Sequence, residues 1–206
     1  VVSDVRELLK AANRLIQKKK MGNSLTQRFK GWVSALEKAD AEGKAPAKSD
    51  WQSENIPIHP MRLAHEVNQF MNHEGDIVVA DGGDTQVWMG ITRTARNSGR
   101  YLDAGLYGCL GVGIPYANAA KLRYPDQRVC LIIGDGSVGF NFMEIETALR
   151  KKLPIVVVVS NDLGWGMIRH SQELRIGHAI ENGTYIGKVD YHKMVEAMGG
   201  KGLYVE

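Results

Sequence analysis

Val5, Leu8, Leu9, Ala12, Leu15 and Ile16 recur at the spacing of one helix face and predict an amphipathic helix over residues 4–19. Phe29, Trp32, Val33 and Leu36 repeat that pattern. They predict a second helix from Ser24, its candidate N-cap, to Ala41. Residues 42–48 (Glu-Gly-Lys-Ala-Pro-Ala-Lys) are small, charged and interrupted by proline, and read as a linker. From about Ile56 the pattern alternates between helical and strand-like. A helix over Pro60–Asn72 precedes an apolar run, Ile77–Ala80, and a turn, Asp81-Gly82-Gly83-Asp84. A glycine-rich stretch from Gly105 to Gly113 leads into a predicted helix, Pro115–Arg123, broken by Pro125-Asp126. Val129–Ile133 reads as a buried strand and Gly134–Ser137 as a turn. Phe140–Lys151 reads as a helix stopped by Pro154, and Ile155–Val159 as the next strand.

Continuous β-branched runs without alternation mean strands covered on both faces. The expected fold is therefore α/β: a doubly wound, mostly parallel sheet with helices on both faces, preceded by a helical connector. Residues 1–50 are expected to be a tail or linker from a preceding domain, and residues 51–206 a binding domain. The opening Val and the strand-like Gly202-Leu203-Tyr204-Val205-Glu206 are read as two cut ends. There is no internal repeat and no low-complexity segment.

Composition narrows the function classes. Hydrophobic residues make up 44% of the 206, enough for a packed core. With 26 basic and 23 acidic residues the formal charge is +3, too balanced and too scattered to imply nucleic acid. Lys18-Lys19-Lys20 reads as a solvated helix end. Cys109 and Cys130 are neither a disulfide framework nor spaced as metal ligands, and read as free thiols in a reducing cytoplasm. No apolar run approaches the ~18 residues that span a bilayer, and no signal peptide is visible.

The chemistry concentrates in Gly134–Gly166. A strand ends, a Gly-Asp-Gly turn follows, and a helix begins whose free N–H groups suit a phosphate. Asp135 offers a hard oxygen for Mg²⁺, which would bridge it to a diphosphate. In a parallel βαβ unit both strand ends share one edge, so Asn161-Asp162 converges on Asp135. A Gly-Asp-Gly alone would be an ordinary tight turn. Joined to the flanking strands, Glu144, Leu153-Pro154 and an Asx pair, it is far more specific.

This segment resembles the signature of thiamine-diphosphate (ThDP) enzymes of the acetohydroxyacid-synthase type: GDG, a helix, a strand and an Asn-Asn pair. Here 24 residues separate Gly136 from Asn161. Asp103–Gly113 resembles that family's Gly-x-Met-Gly-x-Gly cofactor loop, and Gly82-Gly83-Asp84-Thr85 with Trp88 its first diphosphate loop. The resemblance covers about residues 56–206. It implies ThDP and Mg²⁺ as cofactors. Asp135, the side chain at 162 and the Gly164 carbonyl would hold the metal. Backbone around Gly134, Gly136 and Ser137, with Gly83, Asp84 and Thr85, would hold the diphosphate. Within Gly108-Cys109-Leu110, the Gly108 carbonyl would accept from the cofactor's 4′-amino group, and Leu110 would wedge its two rings into a V. Trp165 is placed near the cofactor, with core packing as the alternative. The family uses Asn as its second side-chain ligand; counting from Pro154 puts Asp162 there, with Asn161 the alternative.

Other constellations are weaker. The six histidines lack zinc-ligand spacing; His170, just after the metal loop, is a candidate substrate-facing residue. Glu144 and Glu146 read as capping or salt-bridge residues. No Ser or Cys has a base partner, Tyr116 replaces the third glycine of a dinucleotide fingerprint, and no Gly-Lys-Ser/Thr exists. The resemblance implies making or breaking a carbon–carbon bond beside a carbonyl, on a 2-keto acid or 2-hydroxy carbonyl substrate. It also implies an activating Glu on a separate pyrimidine-binding domain, so that no catalytic side chain lies in this chain, which alone would be inactive. It implies a homo-oligomer, a dimer or tetramer, joined through the cofactor site. Benzaldehyde-lyase, oxalyl-CoA-decarboxylase and 2-hydroxyacyl-CoA-lyase features keep the reaction open. A non-catalytic ThDP-binding module and a Mg²⁺-nucleotide protein are the readings from other classes.

Overall fold

The computed structural model describes residues 4–95 and 97–205. They form two compact units, one up to Lys48 and one from Ser49 onward. The first unit holds helix α1 (Val5–Lys18), N-capped by the Asp4 carboxylate, and helix α2 (Gly22–Lys44). Among its described residues none is buried, and Leu8, Leu9, Trp32 and Leu36 are exposed. The second helix departs from the expectation. It starts at Gly22 without a side-chain cap, so Ser24 lies inside it and caps nothing. It also runs through the expected linker as far as Lys44, followed by a 3₁₀ turn at Ala45–Ala47. Ala, Glu and Lys favour helix there, and Pro46 is tolerated in the first turn of the next element.

The second unit holds all but the first residue of a helical turn, α3 (Lys48–Trp51), and then helix α4 (Pro60–Phe70). A four-stranded parallel sheet follows, β1 (Ile77–Asp81), β2 (Tyr101–Leu102), β3 (Val129–Gly134) and β4 (Val156–Ser160), in the order β2-β1-β3-β4. This is the expected α/β architecture. Ile77, Val79, Leu131 and Ile133 pack on helix α6 (Gly113–Arg123) with Ile114 and Ala117. Val78, Ala80, Cys130 and Ile132 pack with Ala64 and Val67 of α4 and with Met89 of α5 (Gly83–Thr92). Side chains alternate between faces, so a strand covered on both sides must be apolar along its covered length, as β3 is and as β1 is from Ile77 to Ala80. Strand β4 is different: it is only half-buried, with Val156 47% exposed, because it forms one edge of the sheet.

Three further differences bear on the site. The stretch after Gly82 is helix α5 rather than loop. The predicted Phe140–Lys151 helix is two helices, α7 (Asp135–Asn141) and α8 (Glu144–Arg150), and the first starts at Asp135 itself. After β4 come α9 (Gly166–Ile176), the short α10 (Glu181–Thr184) and α11 (Tyr191–Ala197). Residues 202–205 carry no strand, and position 206 lies outside the described residues. Among the described residues no helix is long and apolar enough to cross a membrane.

Candidate functional site

All four strands run the same way, so their carboxyl ends lie on one edge. Asp81 pairs in register with Ile133, and Gly134 with Ser160. Between β1 and β3 the strand order reverses, which opens a crevice where ligands of such sheets bind.

Asp135 stands at that edge, 3% exposed. One carboxylate oxygen accepts the Gly136 N–H at 2.9 Å, and the other is buried with no hydrogen-bond partner. Burial pushes the carboxyl up to about 6, the nearby Asp162 carboxylate pushes the same way, and the Gly136 and Gly164 N–H groups oppose both. Two carboxylates brought together at a buried oxygen are relieved by a shared proton or by a cation. The residues fit a divalent one, since hard oxygen ligands are what Mg²⁺ selects. Among the described residues no group of three His, Cys, Asp or Glu side chains could hold a metal; Asp135 and Asp162 are a pair, and a further ligand would be backbone.

The loop after β4 is held firmly. Leu163 adopts a left-handed backbone at φ 64°. The Trp165 N–H donates to the Thr184 carbonyl at 2.7 Å, the Ile186 N–H to the Leu163 carbonyl at 2.8 Å, and Gly164 bridges Tyr185. The Asn161 amide oxygen is turned back onto the Leu163 N–H at 3.2 Å. Asp162 instead reaches toward Asp135 and accepts from Arg169 at 2.8 Å. From α11, the Tyr191 hydroxyl donates to the Asp135 carbonyl at 3.1 Å. Burial, then the Asp135 charge, raises the Tyr191 phenol above its ordinary value.

The remaining expected residues surround this centre. Gly134 ends β3, and Gly136 and buried Ser137 lie in the first turn of α7. The Trp165 ring covers Gly136 so closely that an added Cβ would sit 2.6 Å from it, and the ring meets Phe140 edge-on at 6.1 Å. Gly83, Asp84 and buried Thr85 form the first turn of α5. The Asp84 carboxylate lies 2.7 Å from His170 Nδ1, so α9 closes over that turn. In the glycine-rich loop, Gly108 is left-handed at φ 59°, Cys109 is exposed and Leu110 half-buried. Gly111, next in the chain, donates its N–H to Asp81 and accepts at its carbonyl from Asn141. Two surface hollows, one beside Asn68 and Arg93 and one beside Ile56 and Leu63, are lined by none of these residues.

Asp81, Asn141, Arg169, Thr184 and Tyr191 join the site without standing among the residues expected from the motifs. An Asp ending an apolar strand and followed by two glycines was a usable signal for Asp81. Nothing local marked the others.

Residues 81–206 match the family described as thiamine pyrophosphate enzyme, C-terminal TPP binding domain. The chain belongs to this family. Among curated relatives it is 35% identical over 175 residues to a probable acetolactate synthase of Mycobacterium bovis, covering 85% of this chain and 32% of that protein. It is 34% identical over 176 residues to a 2-hydroxyacyl-CoA lyase 2 of Danio rerio, covering 84% of this chain and 28% of the relative. A solved thiamine diphosphate-dependent 4-hydroxybenzoylformate decarboxylase of Rhodococcus jostii RHA1 superposes with a TM-score of 0.61 at 25% identity, covering 68% of this chain and 26% of that one. The chain thus spans about a third or less of the length of these proteins. The matched span contains Gly134–Ser137 and Asp162.

Proposed function

We propose that this TPP-binding domain holds ThDP through Mg²⁺ within an acetolactate-synthase-like enzyme that makes or cleaves a carbon–carbon bond beside a carbonyl. The substrate would be a 2-keto acid or a 2-hydroxy carbonyl compound. The buried, unpartnered oxygen of Asp135 facing Asp162 carries the reading. Asp135 and Asp162 supply the side-chain metal ligands and the Gly164 carbonyl a third. The turn of Asn161 onto the Leu163 N–H favours Asp162 over Asn161. Gly134, Gly136 and Ser137, with Gly83, Asp84 and Thr85 opposite, receive the diphosphate with backbone and hydroxyl donors. Gly108, Cys109 and Leu110 face the cofactor's rings. Trp165 shields the diphosphate end from water. Bound ThDP supplies the carbon nucleophile; the chain orients it, excludes water and neutralises its charge.

The activating glutamate belongs to a separate pyrimidine-binding domain, so the complete enzyme is longer and works as a homodimer or tetramer in the cytoplasm. Residues 1–50 connect to a preceding domain, and residues 51–206 are the binding domain. A second reading is a lyase acting on 2-hydroxyacyl-CoA, favoured by relatives of that name at nearly the same identity. Turnover of pyruvate against a 2-hydroxyacyl-CoA by the complete enzyme separates the two.

The deciding experiment is calorimetric titration of ThDP with Mg²⁺ and again with EDTA, for the unaltered protein and for Asp135→Ala. Metal-dependent binding that Asp135→Ala abolishes supports the proposal. Equal affinity in both proteins overturns the metal assignment. No binding, by this chain or by the complete enzyme, overturns the function.

A further inference from the structure

Asp81 ends β1 and is 1% exposed. Its carboxylate accepts three backbone N–H groups: Gly82 at 2.7 Å and Gly111 at 3.3 Å on one oxygen, Gly113 at 2.7 Å on the other. A buried carboxylate persists only with such partners, and charged acceptors make the stronger bonds. Two of the donors lie 30 and 32 residues further along the chain, so these bonds fasten the glycine-rich loop to the end of β1. The approach at Gly113 is close: a Cβ there would sit 2.8 Å from Asp81 Cβ and 2.7 Å from a Leu131 methyl, so only glycine brings its N–H within reach. Asn141, at the end of α7, donates to the Gly111 carbonyl at 2.8 Å. Both sides of the Gly111 residue are therefore held, one by the strand end and one by the helix that begins at Asp135.

We propose that Asp81 and Asn141 are positioning residues that fix Gly108–Leu110 at a set height above the diphosphate edge and thereby set the bend of bound ThDP. The proposal rests on the ThDP reading above. Neither side chain is among those proposed above to hold the cofactor. The diphosphate and metal are held by other residues, so loosening the loop should leave cofactor affinity largely intact and spoil the geometry of the rings.

The test uses Asp81→Asn, which presents an NH₂ to one of the loop's N–H donors, and Asn141→Ala, which removes only the donor to Gly111. Asp76→Asn is the control. It disturbs the Arg128 ion pair at the opposite end of β1 and should cost stability without freeing the loop. The first readout is amide hydrogen exchange over residues 105–113 in this chain. Exchange about tenfold faster in both variants and unchanged in Asp76→Asn is expected. The second, in the complete enzyme with ThDP and Mg²⁺, is deuterium exchange at the cofactor's C2 position. It should slow about tenfold while ThDP affinity stays within about threefold. Unchanged loop exchange, or unchanged C2 exchange with ThDP bound, overturns the proposal; if Asp81→Asn does not fold, Asn141→Ala decides. Faster loop exchange in an enzyme that never binds ThDP instead overturns the function reading on which the proposal rests.

Discussion

Arg169 donates to Asp162 at 2.8 Å, so a guanidinium neutralises the carboxylate that also lies against Asp135. If Asp162 ligates Mg²⁺, Arg169 competes with the metal. The pair is partly solvated, with side chains 29% and 37% exposed, which limits its worth to about 1 kcal/mol or less. Arg169→Ala should therefore tighten Mg²⁺ up to about fivefold in titrations at fixed ThDP. Weaker Mg²⁺ binding would show that Arg169 supports the loop rather than opposing the ion.

Asp135 makes stability depend on pH, and the sign is defined. Its carboxyl sits at about 6 against an ordinary 3.8, with burial and then Asp162 as the causes. The metal-free fold binds this proton more tightly than the unfolded chain does, so the contribution is full below pH 3.8 and is lost as pH rises through about 6. Asp135→Asn should consequently stabilise the metal-free protein at pH 8 and have little such effect near pH 4. Urea unfolding in EDTA at the two pH values checks this. Mg²⁺ should stabilise the unaltered protein at pH 8 and not the variant.

The opposite sign holds at the other end of β1. Burial alone would raise the Asp76 carboxyl, but the Arg128 guanidinium and the His73 N–H outweigh it and hold it below its ordinary value. That stabilisation is present above pH 3.8 and lost as pH falls through the lower folded value. Asp76→Ala should cost about 2 kcal/mol at neutral pH. The loss should shrink in acid, as parallel denaturation curves at pH 7 and pH 3 would reveal. A constant difference would contradict the ion pair.

Much of this arrangement is legible because Ile77–Ala80 of β1 and the whole of β3 are unbroken apolar runs, a pattern that burial on both faces produces. Helix α7 begins at Asp135, where β3 ends, five residues before the Phe140 start that the apolar pattern predicts, because Gly136 and Gly139 weaken local helix propensity. Helix α5 was missed for a similar reason. It opens Gly-Asp-Thr, contains Gly90, and buries only Thr85, Met89 and Thr92. β2 has just two residues and exists by pairing with β1, which no local pattern encodes. The site divides the same way. The Gly134–Ser137 turn and the Asx pair announce themselves within a few residues. Asp81 holding Gly113 and His170 against Asp84 are contacts between distant segments, fixed only when the sheet edge assembles.

The two cysteines offer a chemical check on the fold and on the cofactor loop together. Cys130 lies inside β3 at 0% exposure, and burial pushes its thiol up to about 12. Cys109 is exposed, within the loop proposed to face the cofactor's rings. Thiolate fraction and access govern alkylation, so iodoacetamide at pH 8 should modify Cys109 and spare Cys130 until the protein unfolds. Adding ThDP with Mg²⁺ to the complete enzyme should slow labelling of Cys109 about tenfold. Rapid labelling of Cys130 would contradict the burial of β3. Labelling of Cys109 that ignores saturating cofactor would place the bound rings elsewhere than against Gly108–Leu110.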